Sequence, residues 1–180
     1  MSANKARKGS GFSIIELMVT VAVIGVTAVI AGPALGDFVS DMRISAKTND
    51  LLAFFQYVRS EAAKRSARVT ICISSDQATC ATAATDWAAG AVAFIDVNGN
   101  GQVDPATDTI VRVLDAMPAN FTVTATTAFA TNYYFSFRPS GAASSPGTLR
   151  LCRSGRMARY ISVTAIGRPT STTTPALTCA

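Results

Sequence analysis

The 180-residue sequence predicts an α+β fold in which one long N-terminal helix, with a transmembrane half and an amphipathic half, packs on antiparallel β-sheet. Three observations carry this. Residues 12–35 form an apolar run whose one charge is Glu16. Residues 37–68 continue with apolar side chains at helical spacing. Beyond residue 68 the pattern changes to short β-branched or aromatic runs separated by Gly, Pro, Asn and Ser.

As a helix, residues 12–35 reach about 36 Å at about 1.5 Å per residue, enough to cross a hydrocarbon layer of about 30 Å. Lys5, Arg7 and Lys8 precede the run with no acid among them. The positive-inside bias then leaves the N-terminus cytoplasmic and Asp37 onward outside. A secretory signal peptide or a plain membrane anchor has the same outline. Both leave Glu16 unexplained, because a carboxylate in an apolar segment costs a few kcal/mol unless it is neutralised or paired. Gly32, Pro33 and Gly36 are expected to interrupt the helix near the end of the run, since proline removes a backbone donor and bends the rod.

Further along, Ile44, Thr48, Leu51, Phe55, Val58 and Ala62 recur at intervals of three and four, a stripe suited to lie on a sheet. Arg43, Lys47, Asp50, Arg59, Glu61, Lys64 and Arg65 are assigned to the opposite, solvated face. Strands are expected at 69–74, 91–96, 109–114, 121–126, 133–138, 148–153 and 159–164, and surface loops at the Ala, Thr and Ser-rich stretches 78–85 and 140–147. With the leader and the apolar run set aside, roughly 140 residues remain, enough for one domain with its own core.

Charge is unevenly placed. The net value of +5 falls to +2 without Lys5, Arg7 and Lys8, yet no Asp or Glu follows Asp115, whereas Arg138, Arg150, Arg153, Arg156, Arg159 and Arg168 all do. Arginines without compensating acids can track phosphates with steep salt dependence, and a solubilising surface accounts for them equally well. Four cysteines in an exported chain suggest two disulfides. Three connectivities are open, and proximity favours Cys72 with Cys80, closing a small loop after the first strand, and Cys152 with Cys179, clamping the Thr, Ser and Pro-rich tail 170–178 back on the sheet. Zinc is disfavoured by the wide spacings, the absence of histidine and the lack of a Cys-x-x-Cys pair.

The stretch Asp96-Val97-Asn98-Gly99-Asn100-Gly101-Gln102-Val103-Asp104 matches the first half of a calcium loop, with Asp96, Asn98, Asn100 and Asp104 at ligand positions. Thr107 stands where the closing acid belongs and the flanks read as strands, so a hairpin turn at Asn-Gly is preferred. Without histidine, with no visible base beside any serine and with acids scattered through loops, no catalytic set assembles. Neither an enzyme nor a cofactor is expected.

The segment Gly11-Phe12-Ser13-Ile14-Ile15-Glu16-Leu17, following a basic leader, resembles the type IV pilin and type II secretion pseudopilin superfamily. The resemblance implies a pilin-like fold. It divides the chain into a prepilin leader (1–11), a transmembrane and filament-core helix (12–35) and a periplasmic globular domain (36–180) that includes the amphipathic half of the helix. It also implies cleavage between Gly11 and Phe12 by a prepilin peptidase, N-methylation of Phe12, and helical packing of many subunits through residues 12–35. Glu16 would pair with the α-amino group of a neighbouring Phe12, each buried charge meeting its opposite.

Within that superfamily, Phe55-Gln56-Tyr57-Val58-Arg59-Ser60-Glu61-Ala62, the cysteine arrangement and the pairs Gly155-Arg156 and Gly167-Arg168 resemble the H-type branch, the GspH/FimT family of minor pilins and pseudopilins. The implied function is a minor subunit that helps initiate or cap a type IV pilus or a type II secretion pseudopilus. Its implied partners are other minor and major pilins or pseudopilins, the prepilin peptidase and the inner membrane. Some members of the branch bind DNA through a Gly-Arg-x-Arg motif. Here Gly167-Arg168-Pro169-Thr170 lacks the second arginine, and Gly155-Arg156-Met157-Ala158-Arg159 spaces it one residue further. A DNA receptor for natural transformation is therefore the alternative, with Arg153, Arg156 and Arg168 as its candidates. It requires a turn at Ser154-Gly155 to join the first two and the following loop to deliver Arg168.

Intact-mass measurement of the chain made with and without the prepilin peptidase is expected to show loss of residues 1–11 and gain of one methyl group. A mature N-terminus inside residues 31–36 would instead mark an ordinary secreted protein.

Overall fold

The structure is a computed structural model that describes residues 11–126 and 133–179, without the side chains of 30–34, 157 and 174–178. The expected leader, with Lys5, Arg7 and Lys8, lies outside the described residues but for Gly11. The chain forms two compact units, Met1–Ser40 and Asp41–Ala180.

Helix α1 spans Ile14–Arg65, 52 residues. The Ser13 carbonyl accepts the first helical bond from the Leu17 amide at 3.1 Å. The expected break does not occur: α1 runs through Gly32, Pro33 and Gly36. Proline withdraws one donor, and the bonded turns on either side suffice to keep the helical path. Among the described residues no helix is long and apolar enough to cross a membrane. The span expected over 12–35 includes the side chains of 30–34, which lie outside those described.

In the second unit the chain continues as β1 (Val69–Ile73), a single 3-10 turn (Trp87–Ala89), β2 (Ala91–Ile95), β3 (Thr109–Leu114), β4 (Phe121–Thr126), β5 (Tyr134–Phe137), β6 (Gly147–Arg153), β7 (Met157–Val163) and β8 (Pro169–Thr178). All described pairings are antiparallel, in two four-stranded sheets of order β3-β2-β1-β5 and β4-β6-β7-β8. Strand β8 occupies the stretch expected to be a clamped tail. Its Thr and Ser composition and its prolines conceal it, and both prolines are tolerable because Pro169 opens the strand and β8 lies at a sheet edge.

The stripe Ile44, Thr48, Leu51, Phe55, Val58 and Ala62 is buried throughout. It meets Val69, Ile71 and Ile73 of β1, Phe135 and Phe137 of β5, and Leu149, Leu151, Ile161 and Val163 of the second sheet in one core. Phe55 anchors this contact, with ring centroids 5.8 Å from Phe135 and 6.5 Å from Phe137. Burial of each large side chain contributes roughly 2 kcal/mol. Because side chains alternate along β1, Cys72 faces the other way, into a small cluster with Val92 and Phe94 under the loop that Cys80 ends.

Cys72 is bonded to Cys80 and Cys152 to Cys179. The second bridge is reinforced by the backbone: the Gly155 amide donates to the Cys179 carbonyl at 3.1 Å and the Cys179 amide to the Arg156 carbonyl at 2.8 Å. On the chain-entropy estimate the longer loop is worth about 3.5 kcal/mol against about 2.5 kcal/mol for the shorter. Accordingly, Cys179→Ser is expected to lower the melting temperature more than Cys80→Ser. Calorimetry on both variants, with each reduced wild-type bridge as reference, checks the order, and a reversed order would refute it.

Candidate functional site

In the first unit, Gly11 and Phe12 precede α1, and Glu16 stands in its first turn, where a carboxylate complements the partial positive charge of the helix start. Around it the large apolar side chains are turned outward: Phe12 is 75% exposed, Ile14 80%, Leu17 58%, Val21 61% and Ile24 65%. A solvated helix leaves one face polar. This one offers water almost nothing but Glu16 and a few threonine and serine hydroxyls, and Thr20 and Thr27 already donate to helix carbonyls at 2.9 Å.

At the other end of α1, the Arg59 and Glu61 pair departs from the solvated face expected for it. Glu61 is 6% exposed and is bound by Arg65 at 2.6 Å and Lys64 at 3.8 Å. The Arg65 hydrogen bond, helped by both positive charges, holds its carboxyl below the usual range against the opposing effect of desolvation. Arg59 reaches across the unit, with Nε donating to the Gly141 carbonyl at 3.1 Å and Nη2 to the Ile166 carbonyl at 3.3 Å. Gly167 packs directly on that same Gly141 carbonyl at φ +79°, so a side chain there would be both strained and obstructed. The Arg-Ser-Glu-Ala segment and the second Gly-Arg pair are thus two sides of one structural contact.

The arginines expected to share a DNA-binding patch do not come together. The turn at 154–156 does join β6 and β7, with the Arg156 amide donating to the Arg153 carbonyl at 3.0 Å. Arg153 then lies over the Phe121 ring, 5.8 Å from its centroid, whereas Arg156 pairs with Asp41 of α1 at 3.6 Å. Arg168 belongs to the turn at the opposite end of β7, where the Thr164 amide donates to its carbonyl at 3.1 Å. The register explains the separation: Val163 pairs with Pro169 at one end of the hairpin and Met157 with Thr178 at the other. A strand of that length holds its ends about 20 Å apart. Arg150, opposite Thr124 and Tyr160, and Arg159, opposite Leu151, project to different faces of the sheet.

Strands β2 and β3 are antiparallel neighbours, but residues 96–108 connect them as an extended loop, not as a tight Asn-Gly turn. Its polar side chains serve its own backbone. Asp96, 2% exposed, accepts from the Gly99 amide at 2.7 Å, the Gly101 amide at 3.2 Å and the Thr70 hydroxyl at 2.7 Å. Asn98 and Asn100 accept from the Asn100 and Gln102 amides, and both donate to Asp104. Gly101, at φ +76°, lies against the Tyr134 ring, where a side chain would collide. In this arrangement the loop's side-chain oxygens order its own turns, and among the described residues no group of three or more Asp, Glu, Cys or His side chains is placed to hold a metal.

Sequence reasoning did not single out Asp76. Inside the Cys72–Cys80 loop it accepts from the Thr79 hydroxyl at 2.6 Å, the Thr79 amide at 2.9 Å, the Ala78 amide at 3.0 Å and the Ser74 hydroxyl at 2.9 Å. These donors, led by Thr79, hold its carboxyl well below the usual carboxylate range. The signal was available in the spacing Ser-x-Asp-x-x-Thr, a local turn that a carboxylate can organise.

Comparisons with known proteins agree with this geometry. A family model described as Type II transport protein GspH matches residues 47–167. A second, described as the prokaryotic N-terminal methylation motif, matches residues 6–32. Among solved structures, the type IV minor pilin FimU of Pseudomonas aeruginosa strain PAO1 is similar in two crystal forms. One has a TM-score of 0.56 at 22% identity and covers 74% of this chain and 90% of its own. The other has 0.54 at 21%, covering 71% and 91%. At such identity the likeness is one of fold. No curated protein matches the chain.

A carboxyl whose folded pKa is depressed adds stability above its unfolded value of about 4 and loses it as pH falls through the folded value. Asp76→Asn is therefore expected to lower the melting temperature at pH 7 and to lower it progressively less as pH falls from about 4 to 2, where part of the difference persists because the folded value lies lower still. Thermal melts of both proteins across that interval provide the check, and a constant difference at all pH values would contradict the assignment.

Proposed function

Because the chain belongs to the GspH family of pilins and pseudopilins, we propose that it is a minor subunit that helps initiate or cap a type IV pilus or a type II secretion pseudopilus. The observation that carries this reading is the outward-facing apolar surface of Ile14 to Val29, whose one charge is Glu16. Water does not stabilise such a surface, but lipid and then the packed helices of neighbouring subunits do. The methylation motif over residues 6–32 supports processing between Gly11 and Phe12 by a prepilin peptidase and N-methylation of Phe12.

In this reading residues 12–35 hold the processed chain in the inner membrane as a single pass, with the globular part in the periplasm, until the chain enters the filament. Glu16 then meets the α-amino group of Phe12 in an adjoining subunit, another minor or major pilin or pseudopilin. The fold offers no gathering of Arg153, Arg156 and Arg168, so a DNA-receptor role draws no support from them.

Glu16→Ala removes the carboxylate but no apolar surface. Its amount in the membrane fraction is expected to equal or slightly exceed wild type. Its amount in sheared filaments should fall about tenfold or more, because the opposing amine would be left buried without a partner. Quantitative immunoblots of both fractions decide the matter, and normal recovery of the variant in filaments would refute the pairing.

A further inference from the structure

A cavity of about 110 Å³ lies between α1 and the β7–β8 edge, lined by Ser45, Thr48 and Asn49 on one side and by Arg159, Ser171 and Thr173 on the other. Arg159 pairs with the inward-facing Leu151 in the β6–β7 register, so its guanidinium is carried towards the helix. There Nη2 donates to the Ser45 hydroxyl oxygen at 3.2 Å and Nη1 to the Thr173 hydroxyl oxygen, while the buried Nε has no hydrogen-bond partner. Ser45 and Thr48 give their own protons to the Asp41 and Ile44 carbonyls, at 2.8 and 2.7 Å.

The arginine has neutral acceptors but no counter-charge among the described residues. The acids nearest in sequence on α1 are committed elsewhere, Asp41 to Arg156 at 3.6 Å and Asp50 to Lys47 at 3.5 Å. A half-buried guanidinium whose Nη atoms meet only neutral hydroxyls at the cavity wall is stabilised most by an acceptor that carries negative charge. The lining also offers the Ser171 and Thr173 hydroxyls and the Asn49 amide as neutral donors. A volume equal to a few waters, at about 30 Å³ each, admits a carboxylate or a tetrahedral oxyanion and is too small for a sugar ring or a nucleotide.

We propose that this cavity is an oxyanion site centred on Arg159, for a group that carries two or more acceptor oxygens on one atom. The same chemistry can be supplied by a free inorganic anion or by an Asp or Glu carboxylate of an adjoining subunit. The second source rests on the assembly reading above, whereas the site itself does not.

The test uses the full processed chain in detergent micelles, with its arginines isotope-labelled, titrated with inorganic phosphate at constant ionic strength. The Arg159 Nε–H resonance, assigned by its loss in Arg159→Lys, is expected to shift and saturate while those of Arg150 and Arg153 stay in place. Thr173→Val, which keeps every charge and the reporting resonance, should weaken the response about tenfold. An immobile Arg159 resonance, or a parallel drift of all three, overturns the site whatever the fate of the assembly reading. Once phosphate binding is found, filament recovery of Arg159→Gln separates the sources: a fall assigns the natural oxyanion to a neighbouring chain, and wild-type recovery assigns it to a free ion.

Discussion

The contact on which the globular unit depends is the seat of the α1 stripe on both sheets. Ile44, Leu51, Phe55, Val58 and Ala62 are each no more than 1% exposed, and the strands that cover them come from both halves of the remaining sequence. Neither sheet has a second helix to cover it among the described residues. Remove the stripe and each would present an apolar face to water, an arrangement that four strands cannot sustain. The helix is thus the common wall of two otherwise separate sheets.

That dependence explains why the second half of α1 was legible and the first half was legible in a different sense. A period of 3.6 in residues 44–62 identifies the buried face, and the structure buries those positions. In residues 14–29 there is no such period, because the apolar side chains go all the way round. An all-round apolar helix is buried in something other than its own domain. The break expected at Pro33 is absent from α1, since composition announces a possible bend and not its size.

Strands were legible where β-branched and aromatic residues alternate, as in β1, β2 and β6, and illegible where Thr and Ser dominate, as in β8. The cost of missing β8 was specific. With residues 170–178 taken for a tail, Arg168 could be imagined swinging back towards Arg153 and Arg156, whereas an antiparallel β7–β8 hairpin fixes it at the far end. Sequence gives the charge of this region; only register gives its distribution. The ion pairs Arg156 with Asp41 and Glu61 with Arg65 were hidden for a related reason, because whether a charged helix residue is solvated depends on which strand end arrives beside it.

The Gly-Arg pair at 167–168 shows how a motif can hold a structural role that its arginine conceals. Read for its arginine, it points to a phosphate contact, and Arg168 stands exposed beside Thr164 at the far end of the hairpin from Arg153 and Arg156. Read for its glycine, it has a definite task. Gly167 takes a left-handed conformation against the Gly141 carbonyl, and Arg59 binds that carbonyl together with the one at Ile166. A guanidinium with two carbonyl acceptors holds two loops to the helix with directional, charge-assisted bonds, which an apolar contact at the same place would not orient. The spacing between the two motifs in the chain therefore reflects a closure of the domain upon α1, and the segment around Arg59 is where the helix is tied to the last hairpin as well as packed against it.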